Sequence, residues 1–296
     1  MSGGVDLLAP TVARSPGRDA LRRLSRNRGA TLGALVVLLL AALAILGPPL
    51  LGVLAGYDYE TQDLALGAQP PSAAHWFGTD FFGRDLLTRV VLGLRVSLSV
   101  GLLAALVAAV IGTLWGAIAG YAGGRVDGLM MRTVDVLYAL PYMFVVIIMV
   151  SIFGRSLALV FIALGLVGWL TTARIVRGQV LSLAQRDFVL AARAAGARPG
   201  RVLRRHLIPN TLGPVIVYFT LTVPAMILQE AFLSFLGLGV QAPRPSLGAL
   251  INDGAAHMTV FWWELVFPGA VMAILLLALN FLGDGLRDAL DPRGRR

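Results

Sequence analysis

The sequence predicts an all-α integral membrane protein with six transmembrane helices, and three observations carry that expectation. Of the 296 residues, 57% are hydrophobic and only 14% are charged, the balance that long lipid-facing helices require. Charge-free windows recur at lengths suited to a bilayer, whose hydrocarbon core takes about 20 apolar residues to cross, with tilt or local thinning absorbing departures. The arginines gather between alternate windows, as the positive-inside rule requires.

In chain order, the first window lies between Arg28 and Asp58, the second between Arg95 and Arg125, and the third between Asp135 and Arg155. Arg155 to Arg174 bounds the fourth, Arg205 to Glu230 most of the fifth, and Glu264 to Asp284 the sixth. Prolines 48, 49, 141, 214 and 224 fall in or near these windows, where membrane helices accept them if neighbours satisfy the freed backbone groups. Placing the N-terminus in the cytoplasm puts 20 arginines inside and 5 outside, so both termini are expected to be cytoplasmic. The layout is then a tail over 1–31, a first span over 32–54 and an extracytoplasmic loop with an amphipathic helix over 55–97. A five-helix core over 98–285, containing a cytoplasmic loop over 176–212, and a tail over 286–296 complete it. Arg22 and Arg23 before an apolar run look like a twin-arginine leader. The run is too long for a signal h-region and lacks a small-residue cleavage site, so it reads as an uncleaved first span.

The outer segment HWFGTDFFGRDLLTRVVLGLRVSL, residues 75–98, has its own logic. Asp85 is placed to cap a helix whose Leu86, Leu87, Val90, Val91 and Leu94 recur at helical spacing. Asp85 and Arg89 stand four apart as a supportive pair, and the segment reads as an amphipathic helix in the outer interface. Asp80 and Asp85 admit a metal or acid–base reading, but Arg84 and Arg89 are simpler partners.

Several chemistries are excluded. All 25 basic residues are arginine, so no P-loop lysine and no Schiff-base lysine exists. There is no cysteine, hence no disulfide, thiolate nucleophile or cysteine-ligated metal. His75, His206 and His257 lie far apart and read as isolated surface or loop histidines. The net charge of +9 sorts by loop instead of forming one stripe with interleaved aromatics, which argues against nucleic acid as partner.

The most charged stretch is AARAAGARPGRVLRRHLIPN, residues 191–210, with five arginines in thirteen residues. Burying those five at mid-bilayer would cost about 12 to 18 kcal/mol, so the stretch faces water. Phe188, Ala191, Ala192 and Ala195 mark one face of a short helix that Gly196 ends. Pro199 opens a second helix carrying Val202, Leu203 and Leu207, which Pro209 is expected to end, with Asn210 capping the fifth span. Small residues on one face and cations on the other suit docking to a partner, but on the residues alone a plain electrostatic anchor is the preferred reading, because basic loops are common.

Within the spans, Glu230 is by default a functional-site candidate. Its plainer reading is a buried hydrogen-bond partner holding the outer helix ends. Glu230 and Ser234 are carried forward as candidate gate or path residues. Asp135 and Asp284 sit at interfaces, and Trp262 and Trp263 fit an outer aromatic belt or a wall of the path. The inner faces of the spans offer no evident ligand cage.

An alanine pair, then glycine, then proline thirteen residues later is similar to the cytoplasmic EAA loop of ABC-importer permeases, whose coupling helices insert into a cleft of the ATPase subunit. The matching residues are Ala191, Ala192, Gly196 and Pro209. The departures are Leu190, where the family often has glutamate, and His206, where it often has an aliphatic residue. The implied ATPase-coupling surface also takes in Phe188, Arg193, Arg198, Arg201, Arg204 and His206. GTDFFGRDLLTRVVLGLRVSL resembles the outer motif of the dipeptide/oligopeptide branch, with Gly78, Thr79, Asp80, Gly83, Arg84 and Asp85 at its head. GYAGGRVDGLMMRTVD (120–135), EAFLSFLGLGVQAPRPSLGALI (230–251) and NFLGDGLRDALDP (280–292) resemble that branch's further signatures.

The resemblance implies a type I ABC importer permease fold and import of dipeptides or oligopeptides. Nickel, glutathione and antimicrobial-peptide systems are close alternatives. It also implies a second, homologous permease, two ATPase subunits and an extracytoplasmic substrate-binding protein as partners, with ATP and Mg bound on the ATPases. No cofactor and no catalytic site are expected on this chain. A stand-alone secondary transporter should show charged or broken-helix ion sites at mid-membrane, and an intramembrane hydrolase a facing nucleophile and base.

Overall fold

The computed structural model describes residues 22–56, 58–154, 156–239 and 243–290. The first part of the N-terminal tail, Arg155, part of the 230–251 signature and the end of the 280–292 signature lie outside the described residues. The helices are α1 Arg28–Ala55, α2 Leu86–Ala122, α3 Gly124–Ala139, α4 Tyr142–Phe153, α5 Leu157–Leu183, α6 Asp187–Ala194, α7 Pro199–Val202, α8 Ile208–Phe235, α9 Leu247–His257 and α10 Trp262–Leu290. Five stretches are long and apolar enough to span a bilayer: α1, α2, most of α5, the run Pro199–Phe235, and α10.

The third expected span is not one straight helix. α3 and α4 meet at an angle of 81°, and the two together make the sixth candidate span. The cause is Pro141: it disfavours helical backbone at the residue before it, and Leu140 is accordingly extended, with ψ 127°.

α2 also departs from expectation. Asp85 caps it as the sequence suggests, its carboxylate accepting from the Thr88 amide at 2.8 Å, but the helix then runs 37 residues without a break. At 1.5 Å per residue that is about 55 Å, well beyond the roughly 30 Å hydrocarbon core. Its first turns do not lie flat in the interface. Leu86, Val90 and Leu94 are buried because α9, a short helix capped by Ser246 and not expected from the sequence, packs across this stretch, while Val91 is buried against Gly47 of α1.

Nor does Pro209 end a helix. Leu203–Leu207 form a π-turn, in which the Ile208 amide donates to the Leu203 carbonyl, and the chain continues into α8. A proline in a first turn has no amide to satisfy, and a widened turn absorbs the register change. Asn210 therefore lies inside the helix, donating to the His206 carbonyl at 2.6 Å instead of capping.

Two seams order the bundle. Along α2, Gly112, Gly116 and Gly120 stand at a four-residue spacing against Thr172, Ala173, Arg177 and Val180 of α5, the small-residue spacing that lets helix backbones meet in a membrane. α1 runs antiparallel to α10, with Gly33 beside Ala278 and Leu282, and Ala30 beside Gly285. The start of α1 and the end of α10 thus share one end of the bundle. The main core, including Val100, Ala104, Val146, Leu164, Ile227 and Leu275, fills the middle and the opposite end.

Candidate functional site

The basic segment is a folded element seated on the spans. Val189 of α6, Val202 of α7 and Leu207 of the π-turn are fully buried and pack with Ala117 of α2 and Val176 and Val180 of α5. Between α6 and α7, Gly196 sits at φ +78°, where its amide donates to the Arg193 carbonyl and the Ala197 amide to the Ala192 carbonyl. This paired closure requires a left-handed residue, and glycine adopts it without a Cβ penalty. Burial of the valine side leaves the other side outward: Phe188, Ala191, Ala195, Arg193, Gly196, Arg198, Arg201, Arg204 and Pro209 are exposed, with Ala192 and His206 half-buried. The ten residues picked from sequence thus lie on one continuous element. Of the anchoring set, Val202 and Leu207 were named from sequence as apolar residues of the second helix, whereas Val189 was not singled out.

Neighbouring ion pairs brace that end. Arg177 of α5 makes a bidentate pair with Asp127 of α3 at 2.5 and 2.6 Å, a geometry suited to the planar guanidinium. Arg174 reaches Asp135 at 2.7 Å and lies 4.5 Å over the Tyr138 ring. Arg193 lies 4.7 Å over Tyr121 at the end of α2, tying α6 to a span. Neither Asp127 nor Tyr121 was singled out in sequence, although both fall within the 120–135 motif.

At the other end, the outer motif is a folded knot that closes on itself. Asp80 accepts from the Phe82 and Arg84 amides and from Arg84 Nε at 2.7 Å, with Arg89 Nε 3.4 Å away. Asp85 pairs with His75 Nδ1 at 2.9 Å, so the expected Asp85–Arg89 pair gives way to Asp80–Arg84, Asp80–Arg89 and His75–Asp85. Asp80 is thus an arginine partner, as the simpler reading held. Thr79 is buried; its hydroxyl donates to the Gly67 carbonyl and its carbonyl accepts from Trp263 Nε1 at 3.0 Å. Trp263 is therefore a core residue and not part of an aromatic belt, whereas Trp262 is exposed. Gly78 and Gly83 both turn at positive φ, and a Cβ on Gly83 would collide with the Asp63 carbonyl.

His257 is not isolated either: its Nδ1 lies 3.2 Å from Glu264 Oε2, and its ring stacks on Phe81. These residues, with Asp253, wall a cavity of about 240 Å³. Packing against that wall pushes the Asp253 carboxyl above its ordinary value, with the Arg89 and Arg84 guanidiniums pulling the other way. Among the described residues, no group of three or more His, Asp or Glu side chains is placed to hold a metal ion.

Glu230 is wholly buried and acts as a staple. Ser97 of α2 donates to its Oε2 at 3.0 Å and Ser234 of α8 to its Oε1 at 2.7 Å. The Leu247 amide of α9 donates in turn to Ser97 Oγ at 3.1 Å, and Ser246 Oγ lies 3.3 Å from Ser234 Oγ. One carboxylate joins three helices, the plainer of the two readings made from sequence.

The described residues thus form a helical bundle with five long apolar spans, one broken pair and an outward-facing cationic element at one end, the architecture of a multi-span membrane protein. Residues 112–296 match the model of the binding-protein-dependent transport system inner membrane component, and residues 15–71 that of the N-terminal TM domain of oligopeptide transport permease C. The chain belongs to the first of these families. It is 49% identical to the oligopeptide transport system permease protein OppC of Escherichia coli K12 over 284 residues, 95% of this chain and 93% of that protein. With the dipeptide transport system permease protein DppC of Bacillus subtilis it shares 48% identity over 94% of this chain and 86% of the other. The glutathione transport system permease protein GsiD of Escherichia coli O6:K15:H31 is 40% identical over 97% of this chain and 94% of that protein.

Proposed function

We propose that this chain is one of two permease subunits of an ATP-driven importer of dipeptides or oligopeptides, and that residues 188–209 receive the stroke of the ATPase subunits. The observation that carries the proposal is the split character of that segment: one side locked into the spans by Val189, Val202 and Leu207, the other exposed with Phe188, Ala191 and a row of arginines. The helical run from Pro199 to Phe235 joins this element to a span through the π-turn at Leu203–Leu207, with no loop between them, so a push on the arginine face is passed to α8 instead of being lost in a loop. The stretch 176–212, the described end of α10 and the start of α1 face the cytoplasm, because 20 of the 25 arginines then lie inside. ATP and Mg belong to the ATPases, a binding protein docks on the opposite side, and this chain carries no catalytic site of its own. Peptides are favoured over glutathione because the oligopeptide and dipeptide permeases compared share 41–49% identity with this chain, against 40% for the glutathione permease.

Mass spectrometry of what copurifies with a C-terminally tagged chain, extracted from its own cells in mild detergent, tests the assembly. A second permease and P-loop ATPases in comparable amounts are expected. Recovery of the chain alone would overturn the assignment and return the arginines to simple anchors.

A further inference from the structure

The break between α3 and α4 raises a question that the coupling element does not answer. Non-helical backbone at membrane depth persists only where it is buried in protein or lines a water-filled cavity. Here the break at Leu140 and Pro141 opens on a cavity of about 390 Å³, within the range of roughly 300 to 1,000 Å³ typical of small-molecule sites. Its wall is largely apolar, with Leu137, Leu140, Val167, Leu170 and Met226 in it, and five uncharged polar side chains are set among these. Tyr138 and Tyr142 flank the break, Thr171 projects from α5, and Thr222 and Gln229 from α8. None of these is charged; Gln229 Oε1 is buried without a hydrogen-bond partner, and the Thr222 hydroxyl, which donates to the Tyr218 carbonyl at 2.7 Å, keeps its acceptor side for a ligand. On α8 this wall is distinct from the staple: Gln229 lines the cavity, while its neighbour Glu230 turns to Ser97 and Ser234.

From these observations we infer that the stripe Tyr138, Tyr142, Thr171, Thr222 and Gln229 is this chain's wall of the solute path, and that it hydrogen-bonds the backbone amides of a passing peptide. The inference rests on the peptide-importer reading above. Neutral donors and acceptors match a backbone, which every peptide presents, and leave side chains unread. Charged partners would select by side-chain charge. From Thr222 to Gln229 is seven residues, about 10 Å along a helix, which spans about three residues of extended peptide at roughly 3.3 to 3.6 Å each. Beyond Tyr138, whose ring Arg174 stacks on, the nearest charges are the Arg174–Asp135 pair, already matched to each other.

The absence of cysteine makes the test direct. Single variants Q229C, T222C and T171C, the threonine pair being close to isosteric, are assembled with the partner permease, ATPases and binding protein. In nanodiscs each is treated with a charged methanethiosulfonate reagent, with L277C on the exposed apolar face of α10 as the lipid control. Labelling at least tenfold faster than at L277C, together with a tenfold or greater loss of tri-alanine uptake in proteoliposomes after a bulky adduct forms, is the expected result. Labelling no faster than the control, or uptake within twofold of the unlabelled complex, overturns the path assignment. Should the wild-type complex import no tri-alanine, the peptide reading and the backbone-amide assignment fall together. Thiol reactivity would still show separately whether the cavity holds water.

Discussion

At Gly196 a single backbone angle decides whether α6 and α7 form one folded element. Proline cannot reach φ +78° and would remove the amide that donates to Arg193. Gly196→Pro should therefore abolish uptake while the chain still inserts into the membrane. Wild-type uptake by that variant would contradict the coupling role. Glu230 poses a different residue-scale test. Glu230→Leu strands the Ser97 and Ser234 hydroxyls in a buried site, a loss of about 1–3 kcal/mol for each unsatisfied group, whereas Glu230→Gln keeps an acceptor. The leucine variant should melt at lower temperature than the glutamine variant in detergent. Equal melting temperatures would show that the staple is not structural.

At the scale of elements, the seam between α2 and α5 depends on backbones in contact. A Cβ on Gly116 would meet the Ala173 carbonyl oxygen and the Arg177 amide, so Gly116→Val should force the helices apart and reduce folded protein in membranes. Gly128→Ala, where a Cβ meets nothing within 4 Å, is the matched control and should be silent. The arginine face makes its own element-scale prediction. Replacing Arg201, Arg204 and Arg205 together with glutamine should weaken copurification of the ATPases without altering insertion, because these side chains are exposed and support no packing in this chain. Undiminished copurification would favour the anchor reading.

On the scale of the whole molecule, the bundle has two dissimilar ends joined by long helices. The arginine-rich end carries an outward-facing cationic element with the Asp127–Arg177 pair beside it. At the other end, residues 75–85 are folded on themselves by Asp80–Arg84 and His75–Asp85, and the Glu230 network ties three helices together. The run from Pro199 to Phe235 connects them, since it begins beside Arg201 and ends beyond Glu230 and Ser234. Tags or reporter fusions at the two termini should therefore be accessible from the cytoplasmic side alone. An N-terminal reporter exposed outside would invert the topology and with it the docking of residues 188–209.

Much of this was determined by sequence alone. Lipid-facing composition, the number of apolar windows, the positions of Asp85 and Gly196 as helix boundaries and the motif order through residues 78–85 and 191–209 follow from local chemistry: each depends on one residue's backbone preference or on the free energy of moving a side chain into lipid. Tertiary structure decided the rest, where the outcome depends on what a residue meets across the fold. Pro141 breaks a span while Pro209 is absorbed by a π-turn, a difference set by the surrounding turns and not by proline itself. Trp263 and Leu86 are buried because distant segments cover them. His75 and His257 find Asp85 and Glu264, and the uncharged stripe around Gln229 exists only because residues from three regions of the chain are brought to one cavity.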